Sequence, residues 1–246
     1  MRERKLTPSR RFSVVLLPAA LAQDFKEFCR LNPGPCPLIH YSAPGNYQPD
    51  SSFAANADIR SDVPRYRVYR LGKLEEDEVT DIRNLLPDGS DYATFYLGCS
   101  FSFESALQHA GVPVRNIEQG RNVSMYKTTK PCQSSGPFHT NLVVSMRPIP
   151  EDLLPQVAKV TANMPAVHGP PIAVGWNGMH ELGITDITHP DYGDAVTFME
   201  GDVPVFWCCG VTAIEGAISA SAPLTCTHSP GCMFVSDVLE NEAIIQ

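Results

Sequence analysis

The 246-residue sequence has no long hydrophobic run and carries little positive charge. No apolar stretch reaches the ~20 residues that a membrane-spanning helix requires. Acidic residues outnumber basic ones by 27 to 19, and the only basic cluster is a short N-terminal run from Arg2 to Arg11. Because phosphate binding needs a basic surface, this composition argues against a nucleic-acid partner. We therefore expect no nucleic acid and no membrane among the partners, and the sequence leaves self-association into a homo-oligomer open.

The eight cysteines include no C-x-x-C pair. That absence removes motif support for a zinc site or a thioredoxin-type redox site, so we expect no metal. Several cysteines lie in apolar, strand-like surroundings, where a free thiol behaves as a small hydrophobic residue. The sequence therefore favours a reduced, intracellular protein, located in the cytoplasm or, in a eukaryote, in the mitochondrial matrix.

The N-terminal segment has two interpretations. Basic residues followed by "SVVLLPAALAQ" resemble a secretory signal peptide. The alternative is a strand from Phe12 to Leu17, then an amphipathic helix with Leu21, Phe25 and Phe28 on one face. We favour the strand and helix, because the helical period runs through the supposed cleavage site.

Strands alternate with helices along much of the chain. Residues 92–97 and "VPVFWC" predict strands, each followed by a helix, and Thr212 with Glu215 fits a capping box for the second helix. Such alternation predicts an α/β fold whose mostly parallel sheet is flanked by helices. Between 114 and 202 the strands are shorter, the loops are longer, and residues 114–138 predict one irregular loop. We therefore expect a main α/β domain at 1–113 and 203–246, with a smaller inserted α+β domain at 114–202.

Two of the predicted strands end in turns built from small residues, and a helix follows each turn. In an open α/β sheet, ligands gather at the carboxyl ends of strands, where helix N-termini present backbone N–H groups. Neither turn matches a phosphate-binding loop or a G-x-G-x-x-G motif, which favours a carboxylate as the ligand; the alternative is tight strand–helix packing alone. The candidate binding residues in the two turns are Gly98, Cys99, Ser100, Ser102, Cys209, Gly210 and Thr212.

Charged residues elsewhere could complete such a site. Arg147 ends a strand, where an arginine is either a surface residue or a bidentate carboxylate ligand. Asp202 precedes an apolar strand, and His168 lies beside a rigid Gly-Pro-Pro turn; either could transfer protons. We expect the two small-residue turns to be neighbours in space and to face a cleft walled by the His168 turn and by the loop that contains Arg121 and Tyr126.

An ordered set of motifs resembles one bacterial hydro-lyase family, related to the cyclase domain of D-glutamate cyclase. The motifs are "GCSFSFE", "RNVSMYKT", "VVSMRPIP", "AVHGPPI", "PDYGDAV", "GDVPVFWCCGVT" and "THSPGCMFVSD", spread over nearly the whole chain. The family commonly has Trp-Ala-Cys-Gly where this chain has Trp207-Cys208-Cys209-Gly210, so Cys208 is not expected to be essential. The resemblance implies a two-part α/β fold and conversion of D-glutamate to 5-oxo-D-proline plus water.

This implied reaction assigns roles to the candidates and requires no metal or organic cofactor. Arg121 and Arg147 would bind the carboxylates of a small amino dicarboxylate, and the two turns would line an oxyanion site. Asp202 or His168 would move protons. Two alternatives stay open: a thiol-dependent hydrolase or racemase that uses Cys99 or Cys209 as nucleophile, and a carboxylate-binding module without catalysis.

Overall fold

The structure is a computed structural model that describes residues 9–239, apart from the side chain of Ser102. Residues 2–8 of the basic N-terminal run lie outside this range. The strands are β1 (Ser9–Pro18), β2 (Leu38–Ser42), β3 (Tyr66–Arg70), β4 (Lys73–Val79), β5 (Tyr92–Gly98), β6 (Ser124–Pro131), β7 (Asn141–Pro150), β8 (Ala173–Val174), β9 (Asp202–Cys208), β10 (Thr225–His228) and β11 (Phe234–Leu239). The helices are α1 (Ala22–Leu31), α2 (Phe101–His109), α3 (Arg115–Glu118), α4 (Leu154–Ala162), α5 (Gly175–Glu181) and α6 (Val211–Ser219).

The described strands form two sheets. Sheet A has seven strands in the order β2-β5-β1-β10-β3-β4, with β11 also paired to β1. Sheet B has four strands in the order β6-β7-β9-β8. All strands of sheet B come from residues 124–208. One of them is β9, which pairs with β7, although the predicted boundary at 203 assigned most of β9 to the main domain.

The predicted mostly parallel sheet is wrong, because every strand pair among residues 9–239 is antiparallel. The strand–helix alternation is real, but the helices do not connect neighbouring parallel strands. β1 and β2 both pair with β5, which lies between them. The units β5–α2 and β9–α6 instead carry the chain from one sheet to the other.

β1 is the central strand of sheet A, and its sequence explains this position. Phe12, Val14 and Leu16 pack on one face, in a core closed by the long loop at 47–63. Val15 and Leu17 pack on the opposite face against α1 and α6. A strand whose two faces are both apolar is stable only between two covering layers. The predicted strand over 12–17 and the helix that follows it are therefore confirmed.

The predicted irregular loop at 114–138 contains regular structure. It holds α3 and the whole of β6, which pairs with β7 from Ser124 to Pro131. Within β6 the exposed side chain of Lys127 lies between the buried Tyr126 and Thr128, which is the alternation of a strand with one covered face. Because "KTTK" consists of polar residues, a prediction based on hydrophobicity does not detect this strand.

α6 joins the two sheets, since it contacts β1 of sheet A and β7 of sheet B. Ala213, Ile214 and Ala217 of this helix belong to the apolar core on one face of sheet A. Its N-terminus consequently lies where the two sheets meet. None of the helices within residues 9–239 has the length and apolar character needed to cross a bilayer.

Candidate active site

The turns that follow β5 and β9 lie side by side. A Cβ atom added to Gly210 would be 3.6 Å from the carbonyl oxygen of Gly98 and 3.0 Å from Oγ of Ser13 on β1. The predicted proximity of the two turns is confirmed, although its expected cause was wrong. The turns meet because sheets A and B abut at this point, and not because both strands end at one edge of a parallel sheet.

A small cavity, which we call the turn cavity, lies between these two turns. Its volume is about 30 Å³, which is room for one or two water-sized groups, such as a carboxylate. Two nine-residue helices, α2 and α6, begin at this cavity, and the positive ends of their dipoles favour an anion there. The lining residues are Ser13, Cys99, Ser100, Phe101, Asn122, Val123, Met125, Cys209, Gly210, Val211, His228, Pro230, Gly231 and Met233.

A larger cavity, which we call the side cavity, adjoins the turn cavity. It has a volume of about 220 Å³ and shares the lining residues Val211, His228 and Pro230 with the turn cavity. Its remaining lining residues are Arg67, Tyr69, Tyr192, Ile214, Glu215 and Ile218. Together, the two cavities offer a small molecule two sites. The turn cavity is a small anion-binding site, and the side cavity is a larger site whose walls carry charges of both signs.

His228 at the end of β10 lines both cavities. The side chain is buried, its Nδ1 lies 2.8 Å from the carbonyl oxygen of Ser229, and its Nε2 has no hydrogen-bond partner within residues 9–239. Burial lowers the pKa of this imidazole to about 4. The carbonyl at Nδ1 selects the tautomer in which Nδ1–H donates, so the Nε2 lone pair is available to accept a proton.

The charged residues of the side cavity form two groups. Glu215 accepts a hydrogen bond of 2.5 Å from the Tyr192 hydroxyl at Oε1, and Lys127 Nζ lies 3.1 Å from Oε2. Arg67 donates from Nε and Nη2 to Asp77, at 2.9 Å each. The predicted capping box is wrong, since Gly210 is the N-cap of α6 and the carboxylate of Glu215 binds Tyr192 and Lys127 instead.

Thr212 and Arg147 lie behind the turn cavity. The Thr212 hydroxyl bonds both N–H and C=O of Val143, at 3.0 and 3.1 Å, and so attaches α6 to β7. Arg147 is fully buried and donates to Glu104 Oε1 from Nε at 3.0 Å and from Nη2 at 2.6 Å. Its Nη2 also approaches Ser100 Oγ at 3.4 Å. Arg147 is not among the residues that line either cavity, so it supports the cavity wall from behind, and its role as a carboxylate ligand stays a prediction.

His168 lies in a left-handed turn, at φ 83°, beside the end of β5. Its Nδ1 is 2.8 Å from the carbonyl oxygen of Gly34, and its buried Nε2 has no hydrogen-bond partner in the part of the chain that the structure describes. Burial lowers the pKa of this imidazole to about 4 as well. His168 is not among the residues that line either cavity. The turn is nevertheless close, because a Cβ on Gly98 would lie 1.8 Å from the carbonyl oxygen of Ala166.

Three further predicted site residues lie outside the two cavities. Asp202 is at the opposite end of β9 from Cys209, where Arg115 binds its carboxylate through two hydrogen bonds of 2.9 Å. Arg121 is exposed and donates to the carbonyl oxygen of Ala195. Tyr126 is buried on the other face of sheet B and donates to Ile187 O at 2.7 Å. Ser102 lies in α2, but its side chain is outside what the structure describes.

The two cysteines of the turn cavity are protonated thiols. Burial raises the pKa of Cys99 to about 11 and that of Cys209 to about 12. The nearby Arg147 lowers both pKa values, but by less than burial raises them. Thiols in this state are weak nucleophiles, so the geometry does not favour the thiol-dependent alternative.

Sequence reasoning missed the residues that give the cavities their charge. His228 and Tyr192 lie in the motifs "THSPGCMFVSD" and "PDYGDAV" but were assigned no role. Glu215 was assigned only to a capping box, and Arg67 was not singled out. The turn signal "HSPG" after an apolar strand is the one feature that could have drawn attention to His228. The proximity of Arg67, Tyr192 and Glu215 depends on contacts between segments more than 20 residues apart, which a single sequence does not reveal.

A third cavity, of about 440 Å³, lies on the surface between α1, residues 33–39 and the turn at 165–166. Its two cations are already engaged, since Lys26 Nζ lies 3.3 Å from the centre of the Tyr41 ring and Arg30 pairs with Glu27. We assign no chemistry to this larger cavity. Within residues 9–239, no group of three or more His, Cys, Asp or Glu side chains is arranged to hold a metal ion.

Comparisons with a family model and with individual proteins identify the same family. A family model described as D-glutamate cyclase matches residues 93–237, more than half of the chain. A protein of Syntrophobacter fumaroxidans named "Putative hydro-lyase" is 50% identical over 94% of this chain and 86% of its own length. Proteins of Bacillus licheniformis and Bacillus subtilis whose names contain the same words are 49% and 46% identical, over 94% and 95% of this chain and 86% and 88% of their own lengths. The matched region contains both turns of the turn cavity as well as His228, and the chain belongs to the D-glutamate cyclase family.

Proposed function

We propose that this protein is a lyase that cyclises a small amino dicarboxylate, D-glutamate first, to 5-oxo-D-proline with loss of water. Family membership and the hydro-lyase names of the relatives support the reaction class. The neighbouring turn and side cavities support the substrate class, because an amino dicarboxylate needs two anion sites and one cation site in close proximity.

The reaction is a redox-neutral condensation within one molecule. The ammonium nitrogen loses two protons and forms a bond to the γ-carboxyl carbon, and one γ-carboxylate oxygen gains two protons and leaves as water. Holding the nitrogen beside that carbon removes the entropic cost of bringing the two groups together. The remaining requirement is a group that accepts protons from nitrogen and donates them to the departing oxygen.

The proposal depends most on His228, whose Nε2 accepts no hydrogen bond from the described residues. At neutral pH the imidazole is uncharged, because burial lowers its pKa to about 4. The neutral ring can take a proton from the amine at Nε2 and return it to the leaving oxygen. The Ser229 carbonyl at Nδ1 stabilises the imidazolium formed in between.

The turn cavity is the proposed site of the γ-carboxylate. It is small enough to fit that group, and α2 and α6 direct their positive N-terminal ends at it. Negative charge on the carboxyl oxygens rises when nitrogen attacks, so fixed dipoles here stabilise the transition state. The turn residues would line this site, as predicted from the sequence; they are Cys99, Ser100, Cys209 and Gly210. A role for His168 as a second proton carrier stays a prediction.

Incubation of the protein with D-glutamate and with L-glutamate tests the proposal, with 5-oxoproline measured by chiral chromatography and mass spectrometry. We expect time-dependent 5-oxo-D-proline from D-glutamate at a rate proportional to the protein concentration. A heat-denatured sample serves as the control for spontaneous cyclisation. Formation of no 5-oxoproline from either enantiomer above this control would refute the proposed function.

A non-catalytic carboxylate-binding module is the alternative that uses the same cavities. Such a module would be stabilised against heating by D-glutamate or 5-oxoproline, because a ligand that binds only the folded state raises its stability. Thermal stabilisation without formation of product would favour the binding module over the lyase.

A further inference from the structure

We propose that the side cavity recognises the amino-acid end of the substrate, with Glu215 binding the α-ammonium and Arg67 binding the α-carboxylate. The inference rests on the proposed function in that it concerns the same substrate and adjoining cavities. It adds a recognition site formed by two residues to which the sequence assigned no binding role.

The composition of the side cavity supports this assignment. Its volume of about 220 Å³ admits a small molecule, and its walls carry one acidic and one basic residue among apolar side chains. Glu215 and Arg67 are both partly buried, with 25% and 27% of their side chains exposed. Charge-assisted hydrogen bonds in such surroundings are stronger than at an exposed surface.

Glu215 is positioned to bind a second cation. The Tyr192 hydroxyl donates to its Oε1 and fixes the orientation of the carboxylate. Lys127, whose side chain is half exposed, occupies only Oε2 at 3.1 Å. A carboxylate has about four lone-pair positions, so these two partners leave acceptor capacity for a substrate ammonium. Lys127 also competes with such an ammonium, because both are attracted to the same negative charge.

Arg67 is positioned to bind an anion. Asp77 uses the Nε and Nη2 donors of the guanidinium, so the Nη1 donors are not engaged by that carboxylate. The hydroxyl of Tyr69, which also lines the side cavity, interacts with the same guanidinium. An arginine held on one edge by an aspartate has lost much of its side-chain freedom before a ligand arrives, which lowers the entropic cost of binding.

His228 connects this recognition site to the proposed reaction site. The residue lines both cavities, and its buried Nε2 has no hydrogen-bond partner among the described residues. A substrate held by its amino-acid end in the side cavity would present its second carboxylate toward the turn cavity, with His228 between the two ends. This arrangement selects a dicarboxylate that also carries a free ammonium.

Isothermal titration calorimetry with D-glutamate and with glutarate tests the inference, and the cell contents are analysed afterwards for 5-oxoproline. Glutarate has two carboxylates and no ammonium. We expect Glu215→Gln to raise the dissociation constant for D-glutamate at least about tenfold, the loss typical of one charge-assisted contact. Binding of glutarate should not weaken. Glu181→Gln, at an exposed glutamate outside both cavities, is the matched control.

A second variant is expected to bind D-glutamate more tightly than the wild-type protein does. Lys127→Gln removes the competing cation, so D-glutamate should bind several-fold more tightly, whereas Lys130→Gln on the same strand should bind as the wild-type protein does. A purely structural role of the Lys127–Glu215 pair would not increase affinity.

The outcomes separate this inference from the proposed function. If the wild-type protein does not bind D-glutamate, both the inference and the proposed function are overturned. If the Glu215→Gln and wild-type proteins bind D-glutamate equally, the inference alone is overturned. Turnover in the wild-type protein would still uphold the lyase. If D-glutamate binding depends on Glu215 but no 5-oxoproline forms, the recognition site stands and the proposed lyase function fails.

Discussion

Burial determines the protonation states of the side chains that line the turn cavity. Removal from water disfavours the charged form of any group, so it raises the pKa of a thiol and lowers that of an imidazole. Cys99 and Cys209 therefore remain neutral thiols at pH 7, while His228 remains a neutral base. Of the candidates in this cavity, only the imidazole is in the form that proton transfer needs.

The contrast between buried and accessible thiols predicts the pattern of alkylation. Cys132 and Cys232 are partly exposed, whereas Cys99 and Cys209 are buried. Iodoacetamide at pH 7.5 should modify Cys232 in the native protein and leave Cys99 and Cys209 unmodified until urea unfolds the chain. Cys132 should react more slowly than Cys232, because partial burial raises its pKa to about 11. Peptide mapping by mass spectrometry measures this. Stoichiometric modification of native Cys99 or Cys209, accompanied by loss of activity, would restore the thiol-dependent alternative.

Individual residues differ in how far the sequence could predict their roles. The small residues of the two turns were predictable, because glycine and cysteine between a strand and a helix indicate close packing at a strand end. Asp202 and Arg121 lie away from the turns, since Asp202 begins β9 at the opposite end from Cys209 and Arg121 lies in the loop before β6. Their functional roles stay predictions. The roles of Glu215 and Arg67 depend on partners distant in the chain and only the structure shows them.

Among the elements, β5 and the turn at 165–167 make a close backbone contact beside the turn cavity. A methyl group at Gly98 would overlap the backbone carbonyl of Ala166, at 1.8 Å, and backbone cannot move aside as a flexible side chain can. The same turn carries His168, whose Nδ1 reaches Gly34. Gly98 is therefore required for close approach of two backbone segments.

Gly98→Ala should destabilise the protein and displace the 165–168 turn. We expect a loss of at least about 3 kcal/mol in the free energy of unfolding, the upper end for overpacking in a core. Gly34→Ala is the control, because its added methyl would meet only the Cys208 sulfur, at 3.2 Å, and should cost about 1 kcal/mol or less. Urea unfolding measures both values, and equal stability of the two variants would contradict this account of Gly98.

The elements themselves were largely predictable, but their pairing was not. The alternation of apolar residues in β1, the turn residues of the β3–β4 hairpin and the strand–helix units at β5 and β9 all have clear local signals. The direction of pairing has none, since a helix between two strands is compatible with a parallel connection or with a crossing between sheets. In this chain α2 and α6 connect the two sheets, and the predicted parallel sheet fails for that reason.

At the scale of the whole molecule, two buried neutral histidines couple stability to pH. The pKa values of His168 and His228 are about 4 in the folded protein, against about 6.5 for an unperturbed histidine. Between these values the unfolded chain binds more protons than the folded one, so stability falls as the pH falls from 6.5 to 4. Each histidine should account for about 3 kcal/mol over this window.

Urea unfolding at a series of pH values tests this coupling. The free energy of unfolding should be nearly constant from pH 7 to 8 and should fall steeply from pH 6.5 to 4. His168→Gln should remove about half of the fall, since glutamine does not titrate. An unchanged slope in this variant would show that the imidazole does not remain neutral in the folded protein.

The rate of 5-oxo-D-proline formation in a His228→Gln protein tests whether His228 transfers protons in the reaction. The comparison is with the wild-type protein and with His40→Gln, a partly buried histidine on β2 that is outside both cavities. With folding verified by thermal melting, we predict that His228→Gln lowers kcat by about 10²- to 10⁴-fold, the usual contribution of a general acid–base. His40→Gln should retain the wild-type rate. A folded His228→Gln protein that cyclises D-glutamate at the wild-type rate would contradict the proposed role of His228 in proton transfer.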